Sequence, residues 1–126
     1  MWTYGSEYLE FNNCKFDVAG KALNVYQENS PMDHVIIINN CEFKSSTANK
    51  PALAIKNNGN NGTGTTPIYY DITITNSTFE GFGQSDGELM GFPSDAPYVN
   101  AYGYNHSDKP LKVTVDGEVM VNIPKN

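Results

Sequence analysis

An eight-residue pattern that recurs three times constrains this chain more than any other feature. Leu9-Glu10-Phe11-Asn12-Asn13-Cys14-Lys15-Phe16 aligns with Ile36-Ile37-Ile38-Asn39-Asn40-Cys41-Glu42-Phe43, and both align with Ile72-Thr73-Ile74-Thr75-Asn76-Ser77-Thr78-Phe79. The shared order is apolar, any, apolar, polar, Asn, small, polar, Phe, at offsets of 27 and then 36 residues. Pro31 and Pro67 share the offset of 36, as do Leu53 and Leu89. Ala22-Leu23-Asn24-Val25 resembles Ala52-Leu53-Ala54-Ile55 at an offset of 30, which implies a second strand in each repeat. In the third repeat its equivalent is either Leu89–Phe92 or Tyr98–Tyr102.

Alternation of apolar residues with a period of two, as in Ile72 and Ile74, turns one face of a strand inward. A sandwich alternates too, but it has no reason to repeat a small-residue signature. Identical residues at identical places suggest successive turns of chain stacked about 4.8 Å apart. Asn13, Asn40 and Asn76 are then expected to form an amide ladder along a tight bend, since asparagine tolerates left-handed backbone. Cys14, Cys41 and Ser77 form a ladder of small side chains, and Phe16, Phe43 and Phe79 an aromatic spine inside.

Composition agrees with strands. Asparagine, glycine, serine and threonine give a turn-rich background, and valine, isoleucine, tyrosine and phenylalanine supply strand formers. With 126 residues the chain makes one domain, 1–126. The chain is 39% hydrophobic and 17% charged, which is not the balance of a disordered chain. Eight lysines, no arginine and a net charge of −6 argue against a nucleic-acid surface. No apolar run exceeds four residues, the length of Val35–Ile38, so no membrane insertion is expected. Met1–Gly5 carries no basic start followed by an apolar stretch. Two cysteines are too few for a disulfide framework or a zinc quartet; two free thiols and a single bridge both remain open.

The segment Ile36–Phe43 and its two counterparts resemble the repeat of right-handed parallel β-helix proteins, the pectate-lyase-like superfamily, over roughly residues 8–102. The resemblance implies an all-β chain, a short right-handed parallel β-helix of about three coils, near the minimum for a solenoid. In this reading 1–7 is a lead-in, 8–110 holds the coils with loops at 56–67 and 81–97, and 111–123 is a C-terminal β-hairpin cap. Asp116-Gly117 between two alternating runs is the hairpin signal, and a fourth, degenerate coil is the other reading. Uncapped coil ends expose strand edges and invite self-association.

The superfamily includes lyases, hydrolases, tailspikes and bacterial surface proteins, so the chemistry has to come from the residues. Lyases of this kind use a cationic base with calcium-binding carboxylates, and this chain has no arginine. The aspartate signatures of the related hydrolases, Asn-Thr-Asp, Asp-Asp and Gly-His-Gly, are absent. Glu42 and Glu80 stand 38 residues apart and so fall at different places in the turn. Asp86-Gly87-Glu88 lacks the ligand series of a calcium loop. Neither His34 nor His106 has an acid–nucleophile arrangement around it, and both read as surface or turn residues. No catalytic residue, metal or cofactor is assigned.

The candidate ligand surface is the strip Tyr98, Asn100, Tyr102, Tyr104 and His106. Its rings would stack on sugar faces and its amide would bond hydroxyls; the bland alternative is that the rings cover the open end of the helix. The expectation is a non-catalytic module of an exported or cell-surface bacterial protein, working in adhesion or carbohydrate binding with a glycan as partner. The alternatives are a polysaccharide lyase or hydrolase, or a fragment of one, and a stalk or spike segment that self-associates. The extracellular location rests on the resemblance alone.

Overall fold

The computed structural model describes residues 1–4, 6–27, 33–46, 52–57, 69–82, 99–100 and 111–124. These residues are all-β, with no helix among them. In chain order the strands begin β1 (Trp2–Tyr4), β2 (Tyr8–Asn12), β3 (Lys15–Val18), β4 (Leu23–Gln27), β5 (His34–Asn39) and β6 (Glu42–Ser45). There follow β7 (Leu53–Asn57), β8 (Tyr70–Thr75), β9 (Thr78–Glu80), β10 (Val99–Asn100), β11 (Leu111–Val115) and β12 (Glu118–Ile123). Sheet A has the order β1-β4-β7-β10, sheet B the order β12-β11-β8-β5-β2, and sheet C the order β3-β6-β9. From β1 to β11 the chain visits A, B and C in strict rotation. Every pairing is parallel except β11 with β12.

The register joins like to like. Leu9 pairs with Ile36, Ile36 with Ile72, and Ile72 with Val113. Phe11, Ile38, Ile74 and Val115 make the next inward column. A one-residue slip would turn both columns to solvent, so burial itself holds the register. Phe16, Phe43 and Phe79 stack at 4.6 and 4.7 Å between centroids, with planes 6° and 10° apart. The centroid distances match the strand spacing, so the backbone sets the interval at which the parallel rings stack. Edge-on contacts flank it at both ends, from Phe11 to Phe16 and from Phe79 to Phe82. Burial is deepest in the middle. Ile36, Ile38 and Phe43 are wholly buried, whereas Leu9, Phe11, Phe16 and Val18 are only half-buried.

Several details differ from the sequence reading. The lead-in at 1–7 carries β1, which pairs with β4, because Trp2-Thr3-Tyr4 joins sheet A without any repeat signature. Leu53 faces Val99, not Leu89, so β10 falls within Tyr98–Tyr102. Strand β7 extends through Asn57 and Phe82 packs on the core; the rest of the expected loops at 56–67 and 81–97 lies outside the described residues. Leu111–Val115 is at once the fourth parallel strand of sheet B and the first arm of the hairpin. Asp116 and Gly117 both have positive φ, 48° and 82°, the backbone of a two-residue hairpin turn that matches strand twist.

His34 is no surface histidine. It opens β5 on the same inward face as Ile36, is 1% exposed, and stacks on Tyr70 at 4.8 Å. Its Nδ1 donates to the Ser6 carbonyl, and Nε2 is buried with no hydrogen-bond partner among the described residues. Burial pulls its pKa below the ordinary 6.5, against the Ser6 bond and the nearby Asp33 and Glu7.

Three outcomes follow. Phe43→Ala costs about 3–5 kcal/mol in denaturant unfolding, more than Phe16→Ala at the half-buried end of the stack. Gly81→Ala also destabilises, because φ is +78° and an added Cβ would lie 2.1 Å from the Ser45 carbonyl oxygen. With His34 neutral in the fold, the unfolded chain takes up its proton first on acidification. Stability is therefore whole above pH 6.5 and lost as pH falls toward the lowered folded value. Unfolding midpoints measured across that window slope for the wild type and flatten in His34→Phe; equal slopes would contradict this assignment.

Candidate functional site

Sheets B and C meet at a corner only two residues long, and the same backbone makes it three times. Asn13, Asn40 and Asn76 have φ of 57°, 52° and 47°. This left-handed region is costly for most L-residues and tolerated by asparagine. The following small residue closes the bend: the thiols of Cys14 and Cys41 donate to the carbonyls of Asn12 and Asn39, and the Ser77 hydroxyl to that of Thr75. Backbone bonds tie the corners together, from Asn13 N–H to the Asn39 carbonyl and from Asn40 N–H to the Thr75 carbonyl, each 3.0 Å.

All three corner asparagines are exposed. The Asn76 amide donates to Asn40 Oδ1, and the Asn76 backbone N–H donates to Asp116 Oδ1 at 2.7 Å. In the other interval the side-chain bond falls one residue back, from Asn39 Nδ2 to Asn12 Oδ1 at 3.0 Å. The Asn12 amide meanwhile donates to Glu10 Oε1, which leaves its oxygen free to accept. Asn13 has no side-chain hydrogen bond to the described residues. The side-chain bonds thus form two separate, staggered pairs, Asn12–Asn39 and Asn40–Asn76, where the sequence suggested one ladder through Asn13, Asn40 and Asn76.

The corner opens into a groove of about 550 Å³, with Asn13, Asn40 and Asn76 along its length. Lys15, Glu42 and Thr78 line its sheet C side. Lys15 Nζ lies 3.0 Å from Glu42, and Lys44 bridges Glu42 and Glu80 at 3.8 and 3.6 Å. Along β2, outside the groove lining, the Tyr8 hydroxyl donates to Glu10 Oε2 at 2.7 Å, with 55% of Tyr8 exposed. The bond and charge of Lys15 lower the Glu42 pKa. Bonds from Asn12 and Tyr8 do the same for Glu10, and the Tyr8 phenol is raised in return. Both carboxylates are therefore ionised at neutral pH. They accept hydrogen bonds and are poor proton donors to a leaving group.

Tyr98, Tyr102, Tyr104 and His106 lie outside the described residues. Asn100 is in β10 beside Ala54, with its side chain outside them. Asn13, Asn40, Asn76, Cys14, Cys41 and Ser77 are brought together at the corner, and the three phenylalanines lie under sheet C. The Tyr8–Glu10–Asn12–Asn39 network and the Lys15–Glu42–Lys44–Glu80 run were not singled out from sequence. The alignment holds their signal, since the polar positions beside the repeated residues pair donors with acceptors. Among the described residues no three His, Cys, Asp or Glu side chains form a metal-binding group. No helix there is long and apolar enough to cross a membrane.

Asn40 separates the two contributions to the corner. Asn40→Gly loses the amide but keeps the left-handed backbone, whereas Asn40→Ala loses both. Denaturant unfolding is expected to place the alanine variant about 1 kcal/mol below the glycine variant. No protein-family model matches the chain, and no match was found among curated proteins or solved structures.

Proposed function

We propose that the chain is a short right-handed parallel β-helix serving as a non-catalytic, carbohydrate-binding module of an exported or cell-surface protein, with the sheet B–sheet C corner as its contact surface. The strict A, B, C rotation with in-register columns supports the helix. Parallel crossovers are almost always right-handed, which supports the hand. The exported setting and the adhesion role rest on the likeness of the repeat to the pectate-lyase-like superfamily.

The observation that carries the binding reading is the row of exposed amides along an open groove, with an exposed tyrosine ring at the far end of β2 linked to the corner through Glu10 and Asn12. Each amide offers a donor and an acceptor, the pair that vicinal hydroxyls require. The ring offers an apolar face to sugar C–H groups. The ionised, lysine-paired Glu42 that lines the groove speaks against general-acid chemistry there; glycosidic cleavage needs one protonated carboxyl. The lyase or hydrolase alternative is separated by assaying sugar release from uronate-rich polymers.

A second reading, end-to-end self-association, is favoured by one feature. β1, β2 and β3 are the edges of their sheets on one side, and Leu9, Phe11, Phe16 and Val18 beneath them are half-buried. Mass measurement in solution distinguishes a monomer from an assembly.

Glycan-array screening followed by titration calorimetry tests the main proposal. Binding is expected to weaken tenfold or more, about 1.4 kcal/mol, in Tyr8→Ala or Asn13→Gly. No bound glycan, or binding that survives both changes and is lost on changing Tyr98, Tyr102 and Tyr104, would contradict the corner site.

A further inference from the structure

Cys14 and Cys41 occupy the same corner position on neighbouring passes of the chain. The next residues, Lys15 and Glu42, are register partners, and the Glu42 N–H donates to the Cys14 carbonyl at 2.9 Å. Neighbouring strands lie about 4.8 Å apart, inside the ~4.4–6.8 Å Cα range that a disulfide spans. Both side chains are free thiols, and both line the corner groove. The Cys41 sulfur leans across the interval, reaching the Phe11 carbonyl at 3.4 Å as well as Asn39 of its own strand at 3.2 Å. Burial raises the Cys41 pKa against a backbone hydrogen bond from Cys14, and the adjacent Cys14 thiol adds to the rise. Cys14 is half-buried and Cys41 only 3% exposed, so a reagent in the groove meets Cys14 first.

We propose that Cys14 and Cys41 are a paired redox site that closes to an intramolecular disulfide on exposure to a small-molecule disulfide such as oxidised glutathione. The Cys14 thiolate attacks one sulfur of the glutathione disulfide, forming a mixed disulfide and releasing one glutathione. The Cys41 thiolate then attacks the Cys14 sulfur and releases the second glutathione. The two protein thiols give up two electrons and two protons, and the glutathione disulfide takes them up. The bridge ties the β2–β3 corner to the β5–β6 corner, at the end of the stack where burial is weakest. Ser77 fills the third corner position and makes the same bond to the carbonyl two residues back, so serine is a conservative replacement at either cysteine.

The test exposes the native, fully reduced chain to oxidised glutathione and follows intact mass and thiol titre. The wild type is expected to fall from two thiols per chain to none and become lighter by two hydrogens, with one cross-linked peptide pair joining 14 and 41. Cys41→Ser is expected to stop at the glutathione adduct, and Cys14→Ser to keep its thiol over the same exposure. A wild type that stops at a stable glutathione adduct, keeps both thiols, or cross-links between molecules overturns the proposal. The wild-type readout needs no variant to fold.

Discussion

The left-handed asparagine at the sheet B–sheet C corner is the constraint on which the rest of the structure depends. It allows the chain to change sheets in two residues, and it does so identically at Asn13, Asn40 and Asn76. A longer or looser connection would let β3, β6 and β9 slide against one another. With the corner held, Phe43 arrives between Phe16 and Phe79, at a spacing set by backbone hydrogen bonds and not by the rings. Strand spacing and ring stacking therefore act at the same interval, and each supports the other.

The same geometry explains the asymmetry of the two ends of sheet B. At the hairpin end the left-handed turn comes one residue earlier, at Asp116, and Gly117 continues it. The chain then reverses and covers β11 with β12. The bulge between Val113 and Thr114 adds a further irregularity that discourages strand addition. The opposite end has no such device among the described residues, and its apolar side chains remain half-buried.

The architecture was legible because a stacked core requires the same kind of residue at the same place on each pass. Leu9, Ile36 and Ile72 therefore announce their register before any coordinates. Strand β1 was not legible, because Trp2-Thr3-Tyr4 shares no signature with the strand it joins. His34 was misread although it stands two residues before Ile36, the parity that puts it inward; its polarity hid its position. The corner surface was half legible. The asparagines and cysteines repeat, but the Glu10 network depends on which amide bonds which carboxylate, and the repeat does not specify that. The strip Tyr98, Asn100, Tyr102 and Tyr104 was read from its period-two spacing, and its tyrosines lie outside the described residues.

A parallel, in-register stack through the three phenylalanines underlies the core, the corner groove and the thiol pair alike. Selective labelling of Phe16, Phe43 and Phe79 ring protons, with measurement of their nuclear Overhauser contacts, tests it most directly. Close contacts from Phe43 to both other rings are expected, with none between Phe16 and Phe79. A Phe43 ring that touches only one of them, or close Hα–Hα contacts between β5 and β8 of the kind antiparallel strands make, would contradict the account.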